Sequence, residues 1–145
     1  MNAATAPSHS TSFKVIAILA LLWNLLGVAM FYLQVSMTPE AIAALPAPQR
    51  EVYEATPSWL NIAFAISVFG GVLGAVGLLL RKRWAVPAFL VSLLALIVQI
   101  LSAYAVTPAW SAYGPAGLAM PVVLLAIALF LLWYARKAAR NGWLA

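Results

Sequence analysis

The acidic side chains, the first candidates for chemistry in this sequence, all lie in one short connector. Glu40, Glu51 and Glu54 are the only carboxylates, and one cation, Arg50, lies among them. Glu51 and Glu54 are three residues apart, so a helix would place them on one face. Paired carboxylates can act as acid and base, but the connector has no histidine, cysteine or second acidic cluster to complete a catalytic or metal site. We therefore interpret these four residues as an outer lid in the form of a solvated, capped loop, with a binding lid and a catalytic site as the alternatives.

Other reactive residue types are scarce. The chain has no cysteine, which excludes a disulfide framework and thiolate metal ligands. Its one histidine, His9, leaves no pair of imidazoles to hold haem or zinc. We predict no catalytic residue, no metal and no cofactor, and hence a protein that is not an enzyme.

A second set of candidates is uncharged and lies within long apolar segments. Asn24, Asn61 and Gln99 carry amides that can hydrogen-bond the hydroxyls of a neutral solute. The alternative is hydrogen bonding between helices, worth about 0.6 kcal/mol on average in membranes. No ionisable residue lies within these segments, whereas ion-driven transporters commonly place one there. The pattern therefore favours binding of a neutral solute over proton-coupled exchange.

The elements that must position these residues are membrane helices. The chain is 66% hydrophobic and 8% charged, while soluble domains carry roughly a quarter charged residues. A helix needs about 20 apolar residues to cross a bilayer, and four segments meet that length: 15–35, 59–80, 84–106 and 115–135. The sequence predicts an all-α membrane protein, a four-transmembrane-helix bundle made of two helical hairpins.

The segments around the spans complete the predicted organisation. Residues 1–12 are polar and predicted to form a disordered cytoplasmic head, 13–135 one transmembrane domain, and 136–145 a basic cytoplasmic tail. Within the domain, residues 36–58 are predicted to form a short helical outer cap, beginning where Thr38 caps a helix that starts at Pro39.

Two outer turns of the chain echo each other. "TPSW" at 56–59 and "TPAW" at 107–110 each read as a threonine N-cap followed by a proline in the first turn of a helix. Either duplication of a helical hairpin or coincidence would explain the echo.

The cations set the predicted orientation. Arg50 lies in the outer connector, and the others are Lys14, Arg81, Lys82, Arg83, Arg136, Lys137 and Arg140. Four spans place these seven on one side of the membrane, so the positive-inside bias puts both termini in the cytoplasm. The clusters at 81–83 and 136–140 are expected to attract anionic lipid by about 1 kcal/mol per cation. The net charge of +5 is explained by cations that flank membrane spans. We therefore predict no nucleic-acid partner.

Small residues in the second span predict close helix packing. Ser67 and Gly71 are four residues apart, as are Gly70 and Gly74. Such spacing lets two helices approach closely. The partner is either another span of this chain or a second copy, and a glycine hinge for gating is the functional alternative.

An ordered set of short motifs resembles a family of small bacterial four-span membrane proteins whose members often carry the label "sugar transporter". The motifs are "ALLWNLLGVAMF" at 20–31, "MTPEAIAALPAPQREVYEATPSW" at 37–59, "FGGVLG" at 69–74, "LLLRKRWA" at 78–85, "YGPAGLAMP" at 113–121 and "NGWL" at 141–144. The resemblance implies a bacterial inner-membrane location and favours a sugar among neutral solutes. It carries no site residues over to this chain.

Two functions from different classes follow. The first is a facilitator or binder of a small neutral solute such as a sugar, which favours a homodimer because four spans enclose little volume. The second is a non-transporting accessory or scaffold protein that binds a membrane protein or lipid through its glycine face and outer cap.

Overall fold

Helices account for almost the whole structure, a computed structural model that describes the backbone of residues 5–145 and the side chains of residues 11–145. Helix accounts for 84% of the structure, and the described residues form no strand, which confirms the all-α prediction. The elements in chain order are α1 (Thr5–Val35), α2 (Pro39–Ala43), α3 (Ala47–Ala55), α4 (Ser58–Leu79), α5 (Ala85–Val106), α6 (Ala109–Tyr113), a 3-10 turn (Pro115–Leu118) and α7 (Ala119–Arg140).

Four helical segments are long and apolar enough to cross a membrane. They are Thr11–Val35, Ser58–Leu79, Ala85–Val106 and Pro115–Arg140. They confirm the four predicted spans and make the chain a multi-pass membrane protein.

The terminal helices are longer than the sequence predicted. Helix α1 includes residues 5–12, where the sequence predicted disorder, and residues 1–4 lie outside the described residues. Extending a helix that already exists avoids the cost of nucleation, so polar residues can continue it. Helix α7 runs to Arg140, past the predicted end at 135. Its last turn carries Lys137 and Arg140, where the helix dipole favours cations.

The spans pack in chain order. Helix α1 packs on α4, α4 on α5, and α5 on α7. Within an 18-residue apolar window of each span, 50% of the residues are buried in α4, against 11% in α1 and 6% in α7. We call the end with residues 80–84 and 141–145 the basic end, and the end with residues 36–57 and 107–118 the cap end.

The cap is helical, as predicted. Thr38 is the N-cap of α2: its hydroxyl accepts a hydrogen bond from the backbone N–H of Ala41 at 3.1 Å, and Pro39 is the first helical residue. Helix α3 packs on α6. The connector of the first hairpin therefore reaches the connector of the second.

The threonines of the two outer turns do not cap the following helices, which corrects the prediction. Thr56 ends α3 and its hydroxyl donates to the Val52 carbonyl at 2.6 Å, while Thr107 ends α5 and donates to the Ala103 carbonyl at 2.5 Å. Each proline that follows occupies the N-cap position itself. Each threonine is therefore one residue too early to be an N-cap, and its hydroxyl bonds the preceding helix instead.

An aromatic cluster closes the basic end. The ring of Phe13 is only 1% exposed and lies 6.0 Å from the ring of Tyr134 and 6.3 Å from that of Trp143, centroid to centroid. The Arg81 guanidinium lies 4.5 Å from the Phe13 centroid, which is cation–π range. These contacts join α1 to α7 at this end.

The C-terminal residues bind the α4–α5 turn. The Ala145 N–H donates to the Arg81 carbonyl at 2.7 Å, and the Arg83 N–H donates to the Ala145 carbonyl at 3.1 Å. The backbone N–H of Lys82 donates a hydrogen bond to the Gly77 carbonyl, and Arg81 has a φ of 56°. Helix α4 therefore ends in a Schellman motif, with arginine at the position that has the left-handed conformation. This motif reverses the chain after α4, and the backbone groups of Arg81 and Arg83 in the turn then pair with Ala145.

Candidate binding cavity

A cavity of about 460 Å³ lies between α1, α4, α5 and α7, at membrane depth and toward the cap end. Thirteen of its eighteen lining residues are apolar, and none is charged. The five polar ones are Asn24, Gln34, Ser67, Ser92 and Gln99. The structure therefore brings two of the three predicted amides, Asn24 and Gln99, to one space.

The predicted small residues of α4 face other spans of this chain. A β-carbon on Gly71 would overlap the side-chain oxygen of Asn24 in α1. On the other flank, a β-carbon on Gly74 would lie 2.6 Å from the Phe89 ring of α5, and one on Gly70 would lie 3.3 Å from the β-carbon of Ser92. Glycine at these positions lets α4 approach both neighbours, and this close approach leaves the larger gap between α1 and α7.

The buried serines form the polar part of the cavity floor. Ser92 donates its hydroxyl hydrogen to the backbone carbonyl of Ser67 at 2.5 Å, and both residues are buried. This bond joins α4 to α5 and satisfies the Ser92 donor. Ser67 and Ser92 therefore contribute more to helix association than to ligand binding.

Asn24 is half-buried and partly satisfied within its own helix. Its side-chain nitrogen donates to the Ala20 carbonyl at 2.8 Å. This bond fixes the amide with its side-chain oxygen against Gly71 of α4, and Asn24 is among the residues that line the cavity.

Gln99 carries the most available polar group in the cavity. It is half-buried, and within residues 11–145 its amide makes no hydrogen bond. A primary amide offers donors and an acceptor at once. Gln99 can therefore both donate to and accept from a hydroxyl or carbonyl in the cavity.

Asn61 does not line the cavity. Its side-chain oxygen accepts a hydrogen bond from the Gln34 side-chain nitrogen at 3.0 Å, which joins α4 to α1 near the cap end. Gln34 lines the cavity, although the sequence analysis gave it no role. The available signal was its spacing, because Asn24, Gly27 and Gln34 share one face of α1.

The outer-lid residues lie outside the cavity. Glu40 is in α2, and Arg50, Glu51 and Glu54 are in α3; the three carboxylates are exposed, and Arg50 is half-buried. Among the described residues, no group of three or more histidine, cysteine, aspartate or glutamate side chains comes together to hold a metal ion.

Three tyrosines meet at the cap end. Burial raises the pKa of Tyr113 above its usual value of 10.0, and the neighbouring phenol groups of Tyr53 and Tyr104 raise it further. The Tyr104 hydroxyl donates to the Gly117 carbonyl at 3.2 Å. Tyr53 is in α3 and Tyr113 is in α6, so this cluster lies where the two outer connectors meet.

Comparison of the chain with known protein families, curated proteins and solved structures found no match.

Proposed function

We propose that the protein binds a small neutral solute in the cavity between α1, α4, α5 and α7 and facilitates its movement across the membrane. One observation carries the proposal: within residues 11–145, the lining of a cavity at membrane depth holds no charged group and includes the Gln99 amide, which makes no hydrogen bond.

The size and charge of the cavity both support this function. Ligand pockets measure roughly 300–1,000 Å³, and a cavity of about 460 Å³ lies within that range. An ion in such a low-dielectric space would need an opposite charge, and none lines it. The ligand class is therefore uncharged.

Hydrogen bonding supports a ligand with hydroxyl or carbonyl groups. The side-chain oxygen of Asn24 accepts, while Gln99 both donates and accepts. A hydroxyl matches this pair, because it too donates and accepts. The resemblance to proteins labelled sugar transporters places sugars among the neutral solutes to test. The bacterial inner membrane, cytoplasmic termini, homodimer and anionic-lipid contacts stay predictions.

The test is uptake by proteoliposomes that contain only the purified protein. A panel of labelled neutral solutes, sugars among them, should equilibrate faster than in protein-free liposomes for at least one member. Loss of the Gln99 hydrogen bonds, worth about 1.5 kcal/mol, should slow that solute about tenfold in Gln99→Leu.

The matched control is Gln49→Leu, the same substitution on the exposed surface of α3. It should leave uptake unchanged. Equal uptake by protein-containing and empty liposomes over the whole panel would overturn the proposal, as would equal rates for wild type and Gln99→Leu.

The small share of buried residues in α1 and α7 supports a second candidate function, that of an accessory protein. In the 18-residue apolar windows of α1 and α7, only 11% and 6% of the residues are buried, so both helices have exposed surface for contact with another membrane protein. This function predicts that the purified protein alone transports nothing, and that crosslinkers on α1 or α7 repeatedly trap one other polypeptide in native membranes.

A further inference from the structure

We infer that the cavity opens sideways into the bilayer between α1 and α7, and that its ligand is an uncharged amphiphile admitted from the lipid rather than from water. The inference rests on the proposed function and specifies its substrate class and route of access.

The exposed fractions of the lining side chains show where the cavity opens, and we call this opening the mouth. Among the lining residues, Leu26 and Met30 of α1 are 50% and 52% exposed, and Met120 of α7 is 58% exposed. The floor is closed, with Ser67 of α4 and Leu96 of α5 only 7% and 6% exposed. Over the described chain, α1 and α7 form no closely packed helix pair. The opening therefore lies between α1 and α7.

The mouth extends from the middle of the hydrocarbon toward the cap end. Leu26 is nine residues from the cap-end terminus of α1 at Val35, which is about 14 Å along a helix that rises 1.5 Å per residue. That distance is close to half the thickness of a bilayer core of about 30 Å, whereas Met120 is one residue from the cap-end terminus of α7 at Ala119. Lipid is therefore the solvent that adjoins the deeper part of the mouth, at Leu26.

Both ends of the bundle restrict access from water. At the basic end, the rings of Phe13, Tyr134 and Trp143 fill the space between α1 and α7. At the cap end, α3 packs on α6, so the first connector extends across to the second hairpin. The side opening is the least obstructed route into the cavity.

The lining chemistry selects the ligand class. A free sugar would bury several hydroxyls against thirteen apolar residues, and unpaired hydroxyls are costly to bury. An amphiphile with one or two hydroxyl or carbonyl groups needs only the Gln99 and Asn24 amides. Its apolar body would contact Leu26, Met30 and Met120, and methionine adapts readily to irregular shapes. A charged head group finds no partner there.

The test uses photolabelling of the full-length protein in phosphatidylcholine nanodiscs. The probe is a long-chain alcohol that carries a diazirine on its chain, and the comparison probe is the trimethylammonium compound of the same chain length. The alcohol should label the cavity walls on α1 and α7, an excess of unlabelled alcohol should compete, and the ammonium probe should not label these walls.

Two variants locate the route. Met120→Trp narrows the mouth and should abolish cavity labelling, whereas Leu101→Trp adds the same ring at a residue of α5 that is 66% exposed and outside the cavity lining, and should leave labelling unchanged. Gln99→Leu should lower the labelling yield about tenfold through loss of the head-group hydrogen bonds. Thermal unfolding of each variant shows that it remains folded.

The outcomes separate this inference from the proposed function. Labelling spread evenly over all lipid-facing surfaces, equal labelling by the ammonium probe, or an unchanged yield in folded Met120→Trp would overturn the lateral route. If Gln99→Leu still slows uptake of a water-soluble solute in that case, cavity binding stands and only the bilayer route is lost. If Gln99→Leu changes neither uptake nor labelling, the proposed function is itself wrong.

Discussion

The basic end and the cap end of this bundle are built in opposite ways. At the basic end, Phe13, Tyr134 and Leu144 are nearly fully buried, and the C-terminal backbone bonds the α4–α5 turn. Toward the cap end, α1 and α7 separate around a cavity, and Leu26 and Met120 on its walls are half or more exposed. The same four helices thus form a tight junction at one end and a ligand-sized space at the other.

The contrast follows from what holds helices together in lipid. Apolar side chains gain little by leaving lipid for protein, so close packing and hydrogen bonds decide where helices associate. The basic end has ring contacts, a cation–π contact and backbone pairing between elements. The cap-end half has the Gln34–Asn61 bond and the Phe31–Phe64 ring contact, both between α1 and α4, and leaves Gln99 without a partner in the described chain. We conclude that the basic end supplies the stability that allows a cavity elsewhere.

The largest predicted effect is at the centre of the aromatic cluster. Phe13→Ala removes a ring that is 1% exposed, and should lower the free energy of unfolding by about 3 kcal/mol, since lipid cannot easily refill the space. The comparison is Phe31→Ala, a half-buried ring 5.3 Å from Phe64, which should lose about 1 kcal/mol. Unfolding in mixed detergent and dodecyl sulfate measures both, and equal losses would remove the claimed difference between the ends.

The buried C-terminal leucine should show the next largest effect. Leu144 is 3% exposed, so Leu144→Ala should lower the same free energy by about 2 kcal/mol. The matched substitution Leu101→Ala, at a residue 66% exposed, should change it by less than about 0.5 kcal/mol. A similar value for the two variants would mean that the C-terminal residues do not stabilise the basic end.

Substitutions at two cavity residues should change the free energy of unfolding by smaller and unequal amounts. Ser92→Ala removes the bond to the Ser67 carbonyl and should cost about 0.6 kcal/mol, the average for such bonds in membranes. Gln99→Leu removes an amide with no partner in the described chain, and should cost no stability while it impairs binding. A stability loss in Gln99→Leu as large as in Ser92→Ala would assign Gln99 to helix association instead.

The smallest effect on the global free energy of unfolding is expected in the cap. Thr38→Ala removes the bond to the Ala41 N–H and should speed hydrogen exchange at that amide about fivefold, the equivalent of about 1 kcal/mol for an N-cap. Thr38→Ser keeps a hydroxyl and should retain most of the protection. Global unfolding should stay the same, because α2 buries no residue; a marked global loss would mean that the cap stabilises the whole bundle.

Several features were predictable because their causes are local. Four apolar runs, the Thr38–Pro39 helix start and the small-residue row of α4 each follow from nearby residues alone. The Thr56 and Thr107 prediction failed because a threonine before a proline can bond forward or backward, and the end of the preceding helix decides which. The sequence grouped Asn61 with Asn24 and Gln99, but Asn61 bonds Gln34 outside the cavity lining. The pattern of residues within a single helix does not show which amides of different helices meet.

The amino-acid sequence by itself determined the solvent, the number of crossings and the placement of every carboxylate outside the spans, because hydropathy and charge act on each segment separately. Only the tertiary structure decided that Asn24 and Gln99 line one cavity while Asn61 bonds Gln34. These features depend on the rotation and separation of helices, which contacts between residues distant in the chain determine.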